Sequence, residues 1–498
     1  MGARSADALR RNLEELSSGS TGVLLFRYSW PALVAMTLNA LYAVVDRFFI
    51  GHGCGVDAMA GLQLAMPVMM LFGAFGVFIG AGHSAILSIK LGEGDQRAAE
   101  RIVGQLIAFK LAFFCVLPPL VFFNLDMVLG WCGGTKVTPG ALAAARSYLQ
   151  LVLFSHLFSH LAFGLSALQR AEGGSLRSMF AMVVGFGVNL VLDPVLIFGF
   201  DFTVAGRRLA LAPMGIAGAA WATNVAMLLS CLWALGYYWR GRTVVPIRLR
   251  AIGFHRHLVV RTLGVGMAPF LQQLMSALIF AALQYSFAKW MPDPAARTDR
   301  FASIGVFTSA LILVFMPMLG CQQGLQPIFG YNWGARNYRR VLGALRHGFW
   351  VTSILTFFAF VVQVVPPLPT CLARLFVSGD NPALIALCAH DLAVANSMIW
   401  CISVNVVATT YFQSIGRPGV SIWLSMLRQG VVLLPTIIVL PYFLEDKALA
   451  IWLSMPVSDV ICQLATVPPL LRHIRFLRRA CGERVLNPTS KSKVQGSE

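Results

Sequence analysis

Charge is what this 498-residue chain lacks most. Asp, Glu, Lys and Arg together make up 12% of it, about half of the ~25% usual for a soluble domain. Acids are the scarcer kind, 21 against 39 bases. The ten cysteines stand singly with no C-x-x-C pair, which excludes a disulfide framework and a zinc ribbon. No D-D-x-x-D occurs, and a membrane-embedded prenyl- or glycosyl-transferase would need such an Asp-rich motif to hold a metal diphosphate; the chain is not expected to be an enzyme. Basic residues form no stripe interleaved with aromatics, so nucleic acid is not an expected partner despite a net charge of +18. Residues Met1 to Ser20 carry Arg4, Arg10 and Arg11 but no apolar core, so a cleavable signal is not expected and the first span is retained.

Apolar residues fill the gap: 57% of the chain, with a mean hydropathy of +0.71. One anchor cannot produce that average. Apolar segments of about 20 residues, the length that crosses a ~30 Å hydrocarbon core, start near Val23, Ala58, Val103, Ala141, Met179, Met214, Leu263, Ser303, Ala344, Pro382, Val420 and Ala448. Ten-residue alternating segments are absent, which excludes a barrel. The expected fold is an all-α polytopic membrane protein with twelve transmembrane helices in two pseudo-symmetric six-helix lobes. Residues 1–22 read as a cytoplasmic N-terminal segment, 23–239 as the N-lobe, 240–262 as a basic cytoplasmic linker, 263–473 as the C-lobe and 474–498 as a cytoplasmic tail. With a cytoplasmic N-terminus, the inside segments collect about 27 of the 39 Lys and Arg against about ten outside. Both termini are therefore expected in the cytoplasm, and the surplus charge reads as topology, with anionic-lipid contact a secondary use.

The halves echo one another. Gly80-Ala-Gly-His-Ser84 leads to Leu91-Gly-Glu-Gly94, and Gly320-Cys-Gln-Gln-Gly324 leads to Tyr331-Asn-Trp-Gly334. Gly80 pairs with Gly320 and Gly94 with Gly334 at an offset of 240 residues. Leu168-Gln169 before Gly173 is echoed by Phe412-Gln413 before Gly416. Repeats of six spans enter from the same side, related by an axis along the membrane normal. The glycines, including the G-x-x-x-G pair Gly76 and Gly80, are expected at close helix contacts.

An acid inside a span is a functional candidate, because burying it costs ~2.5–3.5 kcal/mol on insertion scales. Asp193 lies in the apolar stretch Val183–Phe200, with Asn189 one turn before it on the same face. Pro194 lacks an N–H and its ring crowds the carbonyl of Leu190, freeing an acceptor beside the carboxylate. Such an oxygen cluster suits a small hard cation or a proton. Asp46, late in the first span, shares a face with Asn39 and Tyr42; an interfacial position at the span end is the competing reading. His156 and His160 have the i, i+4 spacing of a helical metal pair but no carboxylate near in sequence, so no metal site is expected there. Asp459 reads as a structural partner of something unnamed, and Arg428 as a pairing or gating residue.

Several segments then carry a family resemblance: Pro31 through Val45-Asp46-Arg-Phe-Phe-Ile-Gly51, Leu91-Gly-Glu-Gly-Asp95, Asn189-Leu-Val-Leu-Asp193-Pro194, Gly215-Ile-Ala-Gly218-Ala-Ala-Trp-Ala-Thr223, Gln322-Gln-Gly-Leu-Gln-Pro327, Gly416-Arg-Pro418 and Arg428-Gln429. The chain resembles the multidrug and toxic compound extrusion (MATE) transporters, most closely the DinF/MepA-like branch. The resemblance implies an antiporter that exports lipophilic or cationic compounds in exchange for H⁺ or Na⁺ by alternating access, with no cofactor. It implies a functional monomer in the plasma membrane, a bacterial inner membrane. Asp46, Asn189, Asp193 and Thr223 match the ion-coupling cluster, and Pro31 a proline associated with bending of the first helix; Pro194 is the second bending candidate. Asn39, Tyr42, Gln272 and Gln273 are candidate cavity residues. The NorM-like branch has an acid on the seventh span where this chain reads Pro269-Phe-Leu-Gln272-Gln273. The alternative within the same superfamily fold is a lipid-linked oligosaccharide flippase, which would show a cationic cavity instead of Asp and Asn.

Overall fold

The computed structural model describes residues 14–134, 137–204, 207–240, 243–377 and 381–486. Eleven helices in it are long and apolar enough to cross a bilayer. They are span 2 (Asp57–Glu93), span 3 (Gln96–Phe123), span 4 (Pro139–Ala171), span 5 (Ser175–Phe198), span 6 (Ile216–Trp239), span 7 (Arg256–Trp290), span 8 (Ala296–Gly334), span 9 (Tyr338–Val364), span 10 (Pro382–Ser414), span 11 (Pro418–Tyr442) and span 12 (Lys447–Gly482). Span 1, residues 21–54, completes the twelve; it is the first arm of a helix Thr21–Glu93 that breaks only at Gly55. There φ is 77° and ψ is −170°, a conformation open to glycine because it has no Cβ. The arms fold back on each other, since an Arg47 guanidinium nitrogen reaches Met66 Sδ at 3.6 Å. Pro31 and Pro67 sit inside this helix without further interruption of its dihedrals, and Pro194 likewise lies inside the span 5 helix.

The β structure among the described residues is one antiparallel hairpin between spans 5 and 6. It pairs Phe200–Val204 with Arg207–Leu211, Phe200 opposite Leu211. Span 11 contains a π-helical stretch, Leu427–Leu433, between α-helical pieces. One apolar core lies within the first lobe around Phe72 and Leu149 and one within the second around Phe287 and Trp452, while two more join residues of both lobes, one around Leu106 and Val265 and one around Leu25 and Phe329. Phe72, Leu106, Leu149 and Val152 are among the fully buried residues of the first lobe, and Phe287, Phe329, Tyr411 and Trp452 of the second. Outward-facing positions are apolar too: Phe123, Trp239 and Phe358 are exposed, as a hydrocarbon solvent allows.

Glycines set how the lobes meet. A Cβ built on Gly92 would lie 2.0 Å from the Tyr331 carbonyl oxygen, and one on Gly334 would lie 2.1 Å from that of Ile89. These are reciprocal contacts between spans 2 and 8, and they relate the repeats at an offset of 242 residues. The register read from sequence is therefore two residues out: spatially Gly92, not Gly94, corresponds to Gly334. Gly94 and Arg336 are the left-handed residues that follow, with φ of 75° and 57°. The sequence pairing aligned Gly94 with Gly334 because both are glycine, whereas the helix stop in the second half is made by an arginine. Gly173 and Gly416 do correspond, both with positive φ after spans 4 and 10. Gly82 against the Thr262 carbonyl and Gly266 against that of Phe78 bring span 7 equally close to span 2. Gly76 and Gly80 lie against His160 and Phe163 of span 4, a packing role within the first lobe.

All these approaches between lobes lie in the half of the molecule that carries the Arg240–Arg261 linker, here called the basic end. Bonds from Gln326 Nε2 to the Ala81 carbonyl and from Asn332 Nδ2 to the Leu16 carbonyl lie there as well. Among the described residues no side-chain hydrogen bond links the first and second spans to the seventh and eighth in the opposite half.

Candidate functional site

Spans 1, 4, 5 and 6 enclose a polar cluster in the first lobe. Beyond Ser178, span 5 is apolar except at Asn189 and Asp193, one turn apart, which share a buried face. Asn189 Nδ2 donates to Asp193 Oδ1 at 3.0 Å, and Asp193 has no exposed surface. Span 1 brings Asp46, also buried, and the two carboxylates lie within electrostatic reach of each other. One turn before Asp46, the Tyr42 hydroxyl shares a hydrogen bond with Thr223 Oγ1 of span 6 at 2.9 Å. Both acid charges are also felt at Tyr42 and at buried Tyr148 of span 4. The structure thus brings together all four residues expected from sequence, and Tyr42 with them. Tyr148 was not foreseen.

Among the described residues neither acid enters an ion pair. Asp46 Oδ1 and Asp193 Oδ2 are buried with no hydrogen-bond partner among the described residues. The second lobe is built differently. There Arg428 Nε donates to Asp459 Oδ1 at 2.8 Å, so the unnamed partner of Asp459 is Arg428 on the π-helical stretch of span 11. Asp391 of span 10 is gripped by Arg300 and by Ser303 Oγ, the latter at 2.7 Å. Sequence reading missed Asp391 and its arginine, which lie 91 positions apart.

Oxygen ligands without a cation, in a low-dielectric setting, can hold one small positive species. Two such carboxylates cannot both stay charged with nothing between them. Asp46, Asp193, the amide of Asn189 and the hydroxyls of Tyr42 and Thr223 supply a set of hard oxygens that fits a proton or Na⁺.

The remaining candidates lie apart from this cluster. Asn39 and Gln273 are exposed and Gln272 is half-buried. The Gln272 carbonyl accepts from Ser276 Oγ, which in turn accepts from Gln429 Nε2. His156 and His160 meet edge to face with ring centroids 5.4 Å apart, packed on Phe72 and Phe113. Beside them the buried Lys110 donates to the Gly76 carbonyl at 2.9 Å.

The MatE family model matches residues 31–195 and 270–439, two stretches that correspond to the repeats and together cover most of the chain. The chain belongs to the MatE family. As a MatE protein it is a membrane transporter, not an enzyme. Among its relatives is the multidrug export protein MepA of Staphylococcus aureus, 22% identical over 448 residues, covering 89% of this chain and 92% of that protein. MepA of Staphylococcus saprophyticus is 21% identical over 443 residues, with the same shares covered. In fold the chain is similar to a MATE transporter in its bent conformation, with a TM-score of 0.83 at 20% identity, over 95% of this chain and 99% of that one. It is similar also to an outward-facing multidrug resistance MATE transporter, with a TM-score of 0.81 at 20% identity, over 93% and 98%.

Proposed function

We propose that this MatE transporter is a secondary antiporter that exports lipophilic or cationic small molecules in exchange for H⁺ or Na⁺ by alternating access. The observation that carries the reading is the pair of buried carboxylates in the first lobe, each with an oxygen that has no partner among the described residues. An ion taken up there removes repulsion between Asp46 and Asp193 and lets spans 1, 5 and 6 pack more tightly. Its occupancy thereby changes which lobe arrangement has the lower free energy. A cation entering down a membrane potential contributes ~2.3 kcal/mol per charge per 100 mV. In the proposed cycle, ion uptake from the end opposite the basic linker weakens substrate binding, the lobes rock, and the ion leaves as new substrate enters. The names of the MepA relatives support a drug-like substrate class. The positive-inside balance supports cytoplasmic termini, and the reading is completed by a plasma membrane, the inner one of a bacterium, a division into lobes at residues 240–262 and a monomer as the working unit.

Reconstituted vesicles test this directly. A lipophilic cationic dye should be moved by the wild type when a pH or Na⁺ gradient is imposed, and the gradient that works identifies the ion. Asp193→Asn and Asp46→Asn should each lower gradient-driven transport by at least about tenfold, the loss expected when the driving ion no longer biases the lobes. Unchanged coupling in both variants would sink the assignment.

A further inference from the structure

On the outer face of the second lobe, at the basic end, spans 9 and 12 part to leave a groove of about 640 Å³. That lies within the ~300–1,000 Å³ typical of ligand sites. Span 9 lines it with Arg346, Phe349, Trp350 and Ser353, spaced as one helical face, and span 12 with Ile474 and Arg478, one turn apart. The polarity is graded. Arg346 lies about two turns into span 9 from the basic end, and the aromatic rings follow deeper along the same face. Arg478 lies about one turn from the basic end of span 12. Beyond the groove the face continues through exposed Ile354, Phe357 and Phe358, as a hydrocarbon-facing surface does. Both arginines are exposed, and among the described residues neither enters an ion pair.

We propose that this groove binds an anionic phospholipid from the leaflet at the basic end, its phosphate between Arg346 and Arg478 and an acyl chain over Phe349 and Trp350. A guanidinium fork matches phosphate oxygens in pairs. The apolar floor excludes a free inorganic anion as the natural occupant, since nothing would cover Trp350, which is 64% exposed. A second copy of this chain would bring the same arginine-rich end, in a chain of net charge +18, and like charges repel. A lipid with one net negative charge answers both halves of the surface.

The test reads lipid retention and is independent of transport. The purified full-length protein is equilibrated in mixed micelles of phosphatidylglycerol and phosphatidylcholine, and bound lipid is counted by native mass spectrometry. The wild type should retain phosphatidylglycerol about thirtyfold over phosphatidylcholine, the preference two surface arginines provide at about 1 kcal/mol each. Arg346→Gln/Arg478→Gln should reduce that preference to near parity. Arg475→Gln/Arg479→Gln removes the same amount of charge at the basic end of span 12, outside the groove, and should leave it in place. All four positions are exposed, so neither pair threatens the fold. Parity in the wild type, equal loss in both double variants, or displacement of the lipid by millimolar inorganic phosphate would each overturn the proposal.

Discussion

Asp459 and Asp193 are both carboxylates inside spans, yet their surroundings predict opposite responses to mutation. Arg428→Met strands Asp459 without its partner, and stability should fall by ~3–5 kcal/mol, as when a buried ion pair is broken from one side. Arg428→Met/Asp459→Met removes both charges and should recover most of that loss, measured by thermal unfolding in micelles. Asp193→Asn removes a charge that has no ion-pair partner among the described residues, so stability should hold or rise, while on the proposed function coupling is lost. A third acid belongs to stability alone. Glu172, in the turn after span 4, is fully buried and accepts the Val244 N–H at 3.1 Å, which ties the inter-lobe linker to the first lobe. Burial raises its carboxyl from the ordinary 4.5 to about 8. The native state therefore holds a proton that the unfolded state releases between those values. Stability should decline with rising pH across that window, by at most ~1.4 kcal/mol per pH unit, and flatten above it. Glu172→Gln should remove this slope in thermal unfolding followed from pH 5 to 9. Asp193 was legible as a candidate in sequence because its flanks are apolar and Asn189 stands one turn before it, whereas Asp46, beside Arg47, left an interfacial position open. Thr223 entered only through family resemblance. Asp391 and Lys110 were illegible in their roles, because their partners, Arg300 and the Gly76 carbonyl, come from other spans.

Among the helices, a long apolar run declares itself through length and hydropathy, and twelve spans could be placed near their observed starts. What the runs do not declare is which glycine faces which backbone. Gly92 and Gly334 differ from dozens of other glycines only in pointing at a carbonyl of the opposite repeat, and the lettered match between halves chose a neighbour two residues away. The π-helical turn at Arg428 is illegible for a similar reason: its extra residue per turn serves a bond to Asp459 that only the fold creates. The glycine contact itself makes a prediction. In Gly334→Ala a methyl would sit 2.1 Å from the Ile89 carbonyl oxygen, backbone that cannot swing aside as a side chain would. Spans 2 and 8 must then separate at the basic end, while the cores confined to one lobe, around Phe72 and around Trp452, are kept. A cysteine introduced at Ala335 should react faster with a water-soluble maleimide in this variant than in the parent, at nearly unchanged melting temperature. Equal labelling rates would mean that the contact does not seal that end.

At the scale of the molecule, two features sit at opposite ends of one axis. The lobes are locked by backbone contacts at the basic end, and the unpaired carboxylates lie in the first lobe toward the far half, where no side-chain hydrogen bond among the described residues ties spans 1 and 2 to spans 7 and 8. On the proposed cycle, a carrier arranged this way is held shut at one mouth by packing and is biased at the other by charge. Packing contacts are all-or-none over tenths of an ångström, whereas a carboxylate pair changes its interactions when one proton or ion arrives. The second feature can therefore switch a structure that the first holds in discrete states. Spin labels on His52→Cys in the first lobe and Pro292→Cys in the second, both exposed near the far mouth, would follow that mouth in a background freed of reactive native cysteines. On the proposed cycle the label distances should form two populations whose ratio shifts by about tenfold or more between ion-loaded and ion-free conditions, the response expected for ~1.4 kcal/mol of differential binding. Asp193→Asn should hold the ratio nearly constant across the same change, and Gly334→Ala should move it toward the closed far mouth even without the ion. A ratio that follows the ion equally well in Asp193→Asn would mean that the switch lies elsewhere, with the second-lobe pairs Arg428–Asp459 and Arg300–Asp391 the next groups to neutralise.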